Sequence, residues 1–177
     1  MTPKRIALAL GVFALCSVPA HAGSLSLYGS RWDSKDAGDS WGGGARVGFT
    51  FVKMLEFEFR GTRYSDFKST DLPSDVDVKA TALDGGLRIN FLPNAPFNPY
   101  VGAGVSHYFL EASPGTIDDK SGVYGAAGID FGSRHSRLFV EAMWRRLDTT
   151  ISLSAFNTDA KFDGIAADAG FTWRWGG

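Results

Sequence analysis

The sequence predicts an all-β chain: an eight-stranded antiparallel up-and-down transmembrane β-barrel, preceded by a cleaved signal peptide. Three observations predict it. Apolar and polar residues alternate with period two over most of the chain. Long polar connections take turns with short ones. The N-terminus has the composition of an export signal.

The export signal comes first. Lys4 and Arg5 form a short positive region, and Ile6 to Val18 is apolar and uncharged. Ala20-His21-Ala22 places small residues where a signal peptidase reads them, so cleavage is expected after Ala22. The apolar run is too short for a membrane anchor, which needs roughly 20 residues. Cys16 lies inside this segment behind Leu15, where a lipidation signal would have a small residue. The expected division is 1–22 signal peptide and 23–177 a single barrel domain.

Removing Lys4 and Arg5 from 18 basic residues leaves 16 against 19 acidic, a net charge of −3 for the mature chain. That balance gives no support to nucleic-acid binding. With no cysteine after Cys16, neither a disulfide nor a thiolate metal site is expected.

Eight alternating segments are expected: Ser24–Trp32, Trp41–Val52, Met54–Tyr64, Val76–Phe91, Tyr100–Glu111, Gly122–Gly132, Arg137–Leu147 and Phe162–Trp175. Most match a tilted membrane strand of roughly 9–11 residues. Asp33–Ser40, Ser65–Asp75, Ala112–Ser121 and Asp148–Lys161 read as long polar loops. Short turns fall around Lys53, at Pro93–Pro99 and at Ser133–Ser136. Outer-membrane barrels put long loops outside the cell and short turns in the periplasm.

Alternation alone does not say which face is inside. The polar face carries Glu56, Glu58, Asp84, Asp130, Glu141 and Asp168, with Arg46, Arg60, Arg88, Arg145 and Arg174, and Arg137 at a turn. Every base there is arginine, whose planar fork suits bidentate pairing with carboxylates. Lys35, Lys53, Lys68, Lys120 and Lys161 fall in expected loops or turns, and Lys79 at a strand's outer end. A solvated face of a soluble barrel would use lysine as well. The partition predicts an ion-pair network filling a narrow lumen. Phe57, Phe59, Trp144, Phe171, Trp173 and Trp175 occupy the apolar face, as aromatic girdles do at membrane interfaces.

The last strand, Asp168-Ala169-Gly170-Phe171-Thr172-Trp173-Arg174-Trp175, resembles the C-terminal recognition strand of outer-membrane barrels. Asp168, Gly170, Trp173 and Trp175 meet that pattern's constrained positions, and Phe171 adds to its aromatic face. Gly176 and Gly177 depart from it, since the aromatic normally ends the chain. Pro99-Tyr100-Val101-Gly102-Ala103-Gly104-Val105 and Gly125-Ala126-Ala127-Gly128-Ile129-Asp130 are similar to strands of the same group. The mature chain thus resembles the eight-stranded superfamily of OmpA-type transmembrane domains, OmpX and the opacity proteins. The resemblance implies the outer membrane, insertion by the barrel-assembly machinery, and outer-membrane lipid and lipopolysaccharide as surroundings. A monomer without cofactor is expected.

Catalysis is not expected. His135-Ser136 with Glu141 invites comparison with lipid A deacylases. In that family one residue separates His and Ser, so both share a face; here they are adjacent and diverge on an extended chain. Ser106-His107 has the same adjacency and no clear acid partner. Asp33, Asp36, Asp39, Asp66, Asp71, Asp75, Asp118, Asp119, Asp148 and Asp159 crowd the long connections, without the spacing of a calcium loop. Gly42-Gly43-Gly44 lies in a strand, where small residues allow close approach. The functional expectation is an anchored, plugged barrel displaying four acidic loops. The alternative is a narrow channel or carrier for small hydrophobic molecules. A lipid A-modifying enzyme comes third, and a soluble periplasmic barrel fourth.

Overall fold

The computed structural model describes residues 22–34, 38–68, 77–113, 120–146, 148–153, 156–161 and 163–176. Most of the signal segment, including Ala20, therefore lies outside the described residues. Eight strands close on themselves: β1 (Gly23–Ser34), β2 (Gly38–Val52), β3 (Leu55–Lys68), β4 (Asp77–Asn90), β5 (Phe97–Ser113), β6 (Lys120–Gly132), β7 (Ser136–Arg146) and β10 (Gly164–Trp175). A separate hairpin, β8 (Asp148–Leu153) and β9 (Phe156–Lys161), stands between β7 and β10. The ring runs β1-β10-β7-β6-β5-β4-β3-β2, with every adjacent pair antiparallel. Closure removes the sheet edges that lipid could not hydrogen-bond.

Closure is made by the chain ends. β1 and β10 pair over their whole length, from Gly23 opposite Trp175 to Ser34 opposite Gly164. Thr50 N donates to Ala22 O at 3.1 Å and completes the last rung beside β2. The start of β1 and the end of β10 therefore lie with the short turns at one mouth.

The faces are inverted relative to a soluble protein. Leu27, Val105, Leu138, Val140, Trp144 and Ile165 are exposed on the outer wall, while the arginines and carboxylates of the alternate positions are buried. An apolar wall around a polar interior suits hydrocarbon outside, not water. No helix among the described residues is long and apolar enough to cross a membrane, so the crossing is made by strands.

The strands outrun the expected ones. β1 ends at Ser34 and β2 starts at Gly38, so the connection between them is three residues and not a long loop. Asp33 and Asp39 are cross-strand partners, not loop residues. Lys68 closes β3, Lys120 opens β6, and Lys161 pairs with Asp148 in the hairpin, all three within strands. The expected long loop over Asp148–Lys161 holds that hairpin, and the last barrel strand begins at Gly164. Pro99 lies within β5, opposite Ile129, and leaves a shorter turn at residues 91–96. Burial still alternates through Ser34 at the end of β1, and Ser40 and Asn98 are buried, so the ladder and its inward face extend past the residues whose hydropathy marks them. Asp36, Asp71, Asp75, Asp118, Asp119 and Lys35 lie outside the described residues.

Candidate functional site: the filled lumen

The interior is arranged in three tiers. At the mouth carrying the chain ends, Arg88 Nη2 donates to Asp130 Oδ2, and Arg174 Nη2 donates to Glu56 Oε2 at 3.2 Å. Ser24 Oγ donates to Glu56 Oε1 at 2.5 Å. Asn90 and Asn98 weave these together: Arg88 Nε donates to Asn90 Oδ1 at 3.0 Å, and Asn98 Nδ2 to the same oxygen at 2.9 Å.

The middle tier joins strands across the barrel. Arg60 on β3 donates from Nη1 to Glu141 Oε1 on β7 at 2.6 Å, and from Nη2 to Glu58 Oε1 at 2.5 Å. Arg46 on β2 reaches Glu141 Oε2 at 3.3 Å and Glu58 Oε2 at 3.8 Å. Asp168, directly opposite Glu141 on the neighbouring strand, lies 3.5 Å from Arg60. All five side chains are no more than 2% exposed.

The third tier centres on Arg145. Its guanidinium meets both Asp84 oxygens, at 3.3 and 3.1 Å, and donates to Tyr108 Oη at 2.8 Å. Trp32, Tyr64 and Tyr108 surround it with ring centroids 5.5 to 5.9 Å from its Cζ, within cation–π range. Arg46 stacks likewise on Phe139 and Arg88 on Tyr100.

The structure thus brings Arg46, Glu56, Glu58, Arg60, Asp84, Arg88, Asp130, Glu141, Arg145, Asp168 and Arg174 into one interior, but the charges are not spread evenly along it. The middle tier sets three carboxylates on two arginines. The end tier has three arginines and two carboxylates. Arg137 is its third, and no carboxylate pairs with it among the described residues. It donates instead to the carbonyls of Ser133 at 3.1 Å and of Pro93 and Ala95 at 2.9 Å, tying two turns together.

Sequence reasoning missed the aromatic half of the interior. All five tyrosines, Tyr28, Tyr64, Tyr100, Tyr108 and Tyr124, are buried in the lumen. Their signal was parity: each stands at an even offset from an inward polar residue of its own strand, as Tyr64 does from Arg60. Glycines at the paired positions of neighbouring strands make room for them. A Cβ on Gly44 would come within 2.6 Å of Tyr28 Cζ, and one on Gly128 within 2.5 Å of Tyr100 Cζ. Gly42 does the same for Tyr64, which gives the glycine triplet its place in the fold.

The remaining candidates are scattered. His135 is exposed in the turn before β7, while Glu141 is committed to the lumen arginines. Ser106 is buried inside, whereas His107 points outward and meets Ser121 Oγ at 3.0 Å. Among the described residues no group of three or more metal-ligating side chains stands together. Phe171, Trp173 and Trp175 line the outer face of β10, with Trp173 and Trp175 exposed, and Asp168 and Arg174 face inward.

A closed eight-stranded barrel with an apolar outer wall and a charged, filled interior defines a small transmembrane β-barrel. The chain belongs to the outer membrane protein β-barrel domain family, whose model matches residues 8–176, and it is an outer-membrane protein. Its fold is similar to the crystal structure of OprG from Pseudomonas aeruginosa, at 15% identity and TM-score 0.73, covering 88% of this chain and 96% of that one. Neisserial surface protein A is similar at 15% identity and TM-score 0.61, over 86% and 94%. Ail, the attachment invasion locus protein of Yersinia pestis, is similar at 15% and 0.53, over 87% and 98%. A sequence comparison with curated proteins gave no match.

Proposed function

We propose that this protein is a plugged barrel: a membrane anchor that displays its outer connections to the surroundings and does not serve as a general pore or an enzyme. The ion pair between Arg60 and Glu141 carries the reading, because it crosses the lumen between strands four places apart in a ring of eight. An eight-stranded barrel has an interior just wide enough for side chains to fill. Here the rings of Tyr28, Tyr64, Tyr100, Tyr108 and Tyr124 occupy what the charged groups leave.

The chain ends and short turns face the periplasm in this reading, and the β8–β9 hairpin faces outward. Cleavage after Ala22 would free Gly23 to begin β1. Asp168, Gly170, Phe171, Trp173 and Trp175 would supply the strand that the assembly machinery receives. Lipid and lipopolysaccharide would be the barrel's immediate partners.

Planar-bilayer recording tests the reading. Purified protein is expected to give no resolved conductance steps. Regular steps from the unmodified protein would replace the plug with the narrow-channel alternative. Protease added to intact cells is expected to cut only in the outer connections; cleavage at residues 91–96 or 133–135 would reverse the topology.

A further inference from the structure

We infer that the mouth with the short turns holds one small soluble phosphate monoester with an aromatic body. The turns at residues 53–54, 91–96 and 133–135 contain Lys53, Arg134 and His135 and no acid. They border a cavity of about 320 Å³. Lys53, Arg134, His135 and Arg174 line it, and among the described residues no carboxylate does. Arg174 N donates to His135 O at 2.8 Å, which seats the end of β10 against the last turn.

The acids nearby do not offset these cations. Glu56 is buried and shared between Arg174 and Ser24, and Asp130 is taken by Arg88. Lys53 and Arg134 form no ion pair among the described residues. Arg137 stands behind the wall. It donates to the carbonyls of Pro93 and Ser133, and its Nη1 is buried with no hydrogen-bond partner among the described residues. A concave site lined by one sign of charge concentrates its field on an incoming ion. Two unpaired cations beside two arginine forks suit a group with nearly two charges and three acceptor oxygens, which is a phosphate monoester and not a single carboxylate. The size and the wall select the body. The cavity has room for about ten waters at roughly 30 Å³ each, so an inorganic anion would leave most of it unfilled. It falls at the small end of organic-ligand pockets, which run from roughly 300 to 1,000 Å³. Phe51 and Trp175, 52% and 45% exposed, line it with aromatic surface that a ligand ring would cover. The site is at the mouth and requires the lumen to be neither open nor closed.

The experiment is isothermal titration calorimetry of the folded protein in uncharged detergent, with phenyl phosphate as the probe. One phenyl phosphate per barrel is expected, with a shift of the Trp175 indole resonance on binding. Benzoate, with one charge, and inorganic phosphate, with no ring, should each bind clearly more weakly, and phenol not at all. Lys53→Gln with Arg134→Gln should weaken phenyl phosphate roughly tenfold or more, the scale of one lost charge-assisted contact. Phe51→Ala should weaken phenyl phosphate and leave inorganic phosphate unchanged. Lys53 and Arg134 are exposed turn residues and Phe51 is half exposed, so heat-modifiable migration should stay native in both variants. Unaltered affinity in the Lys53 and Arg134 variant, or inorganic phosphate bound as tightly as phenyl phosphate, overturns the site. Tighter binding of short-chain phosphatidic acid than of phenyl phosphate would give the monoester a lipid source and overturn the soluble one. Equal competition by short-chain phosphatidylglycerol overturns the site as a generic anionic surface.

Discussion

Arg60 and Glu141 form an ion pair of 2.6 Å across the lumen, between strands on opposite sides of the ring. Neither can move to water without unpicking the barrel, and Glu141 also holds Arg46. Glu141→Ala would take from Arg46 its nearer carboxylate and from Arg60 its contact across the lumen, leaving both to share Glu58, with Asp168 3.5 Å from Arg60. Breaking a buried pair from one side costs about 3–5 kcal/mol. Urea unfolding in phospholipid vesicles should show a loss of that order. The double variant Arg60→Met, Glu141→Leu should lose clearly less than the two single losses added together. Additive losses would mean that the pair is not coupled.

The tyrosine cradles depend on which glycines face a ring. Gly125 and Gly128 lie three residues apart on β6, but only Gly128 faces a ring, that of Tyr100. Gly128→Ala must push back Tyr100 and also meets the Val140 carbonyl at 2.7 Å. Overpacking of this kind costs about 1–3 kcal/mol. Gly125→Ala meets nothing within 4 Å and should be neutral or slightly stabilising. The same unfolding assay compares them, and equal effects would refute the cradle.

These two cases show what the sequence could and could not carry. The inward parity was legible because Glu56, Glu58 and Arg60 alternate with Leu55, Phe57 and Phe59. The identity of the partners was not. Arg60 meets Glu141 only after ring closure fixes which strands stand opposite. Tyr28 was hidden because it is inward yet reads as apolar beside Leu27. The β8–β9 hairpin was hidden because Thr, Ser, Asn and Asp dominate it, the residues that mark loops.

Arg137 supplies the third prediction. It is buried, and it holds the turn at Pro93 and Ala95 to the turn at Ser133 through three carbonyls. Arg137→Met keeps much of the side chain's length and removes the donors. The stranded carbonyls should cost roughly 1–3 kcal/mol, less wherever water reaches them. Hydrogen exchange should quicken in residues 91–96 and 133–135, while the amides of the Arg145 tier keep their protection. Unchanged exchange in both turns would deny Arg137 this fastening role.

Two layers could close the lumen, the Arg60–Glu141 bar and the ring cluster around Arg145. If the Arg60–Glu141 bar is the plug, removing both side chains should open a path even though the outer wall is untouched. Arg60→Ala with Glu141→Ala deletes the bar and leaves Arg46 with Glu58 and Arg145 with Asp84. The tyrosine rings would remain, but Tyr124 donates to Glu58, which itself loses Arg60. Loosening should therefore spread from the bar to the ring beside it. In planar bilayers the parent should stay silent, and the double variant should show small, flickering steps. A silent double variant with native heat-modifiable migration would assign closure to the third tier. There Trp32, Tyr64 and Tyr108 around Arg145 would be the seal.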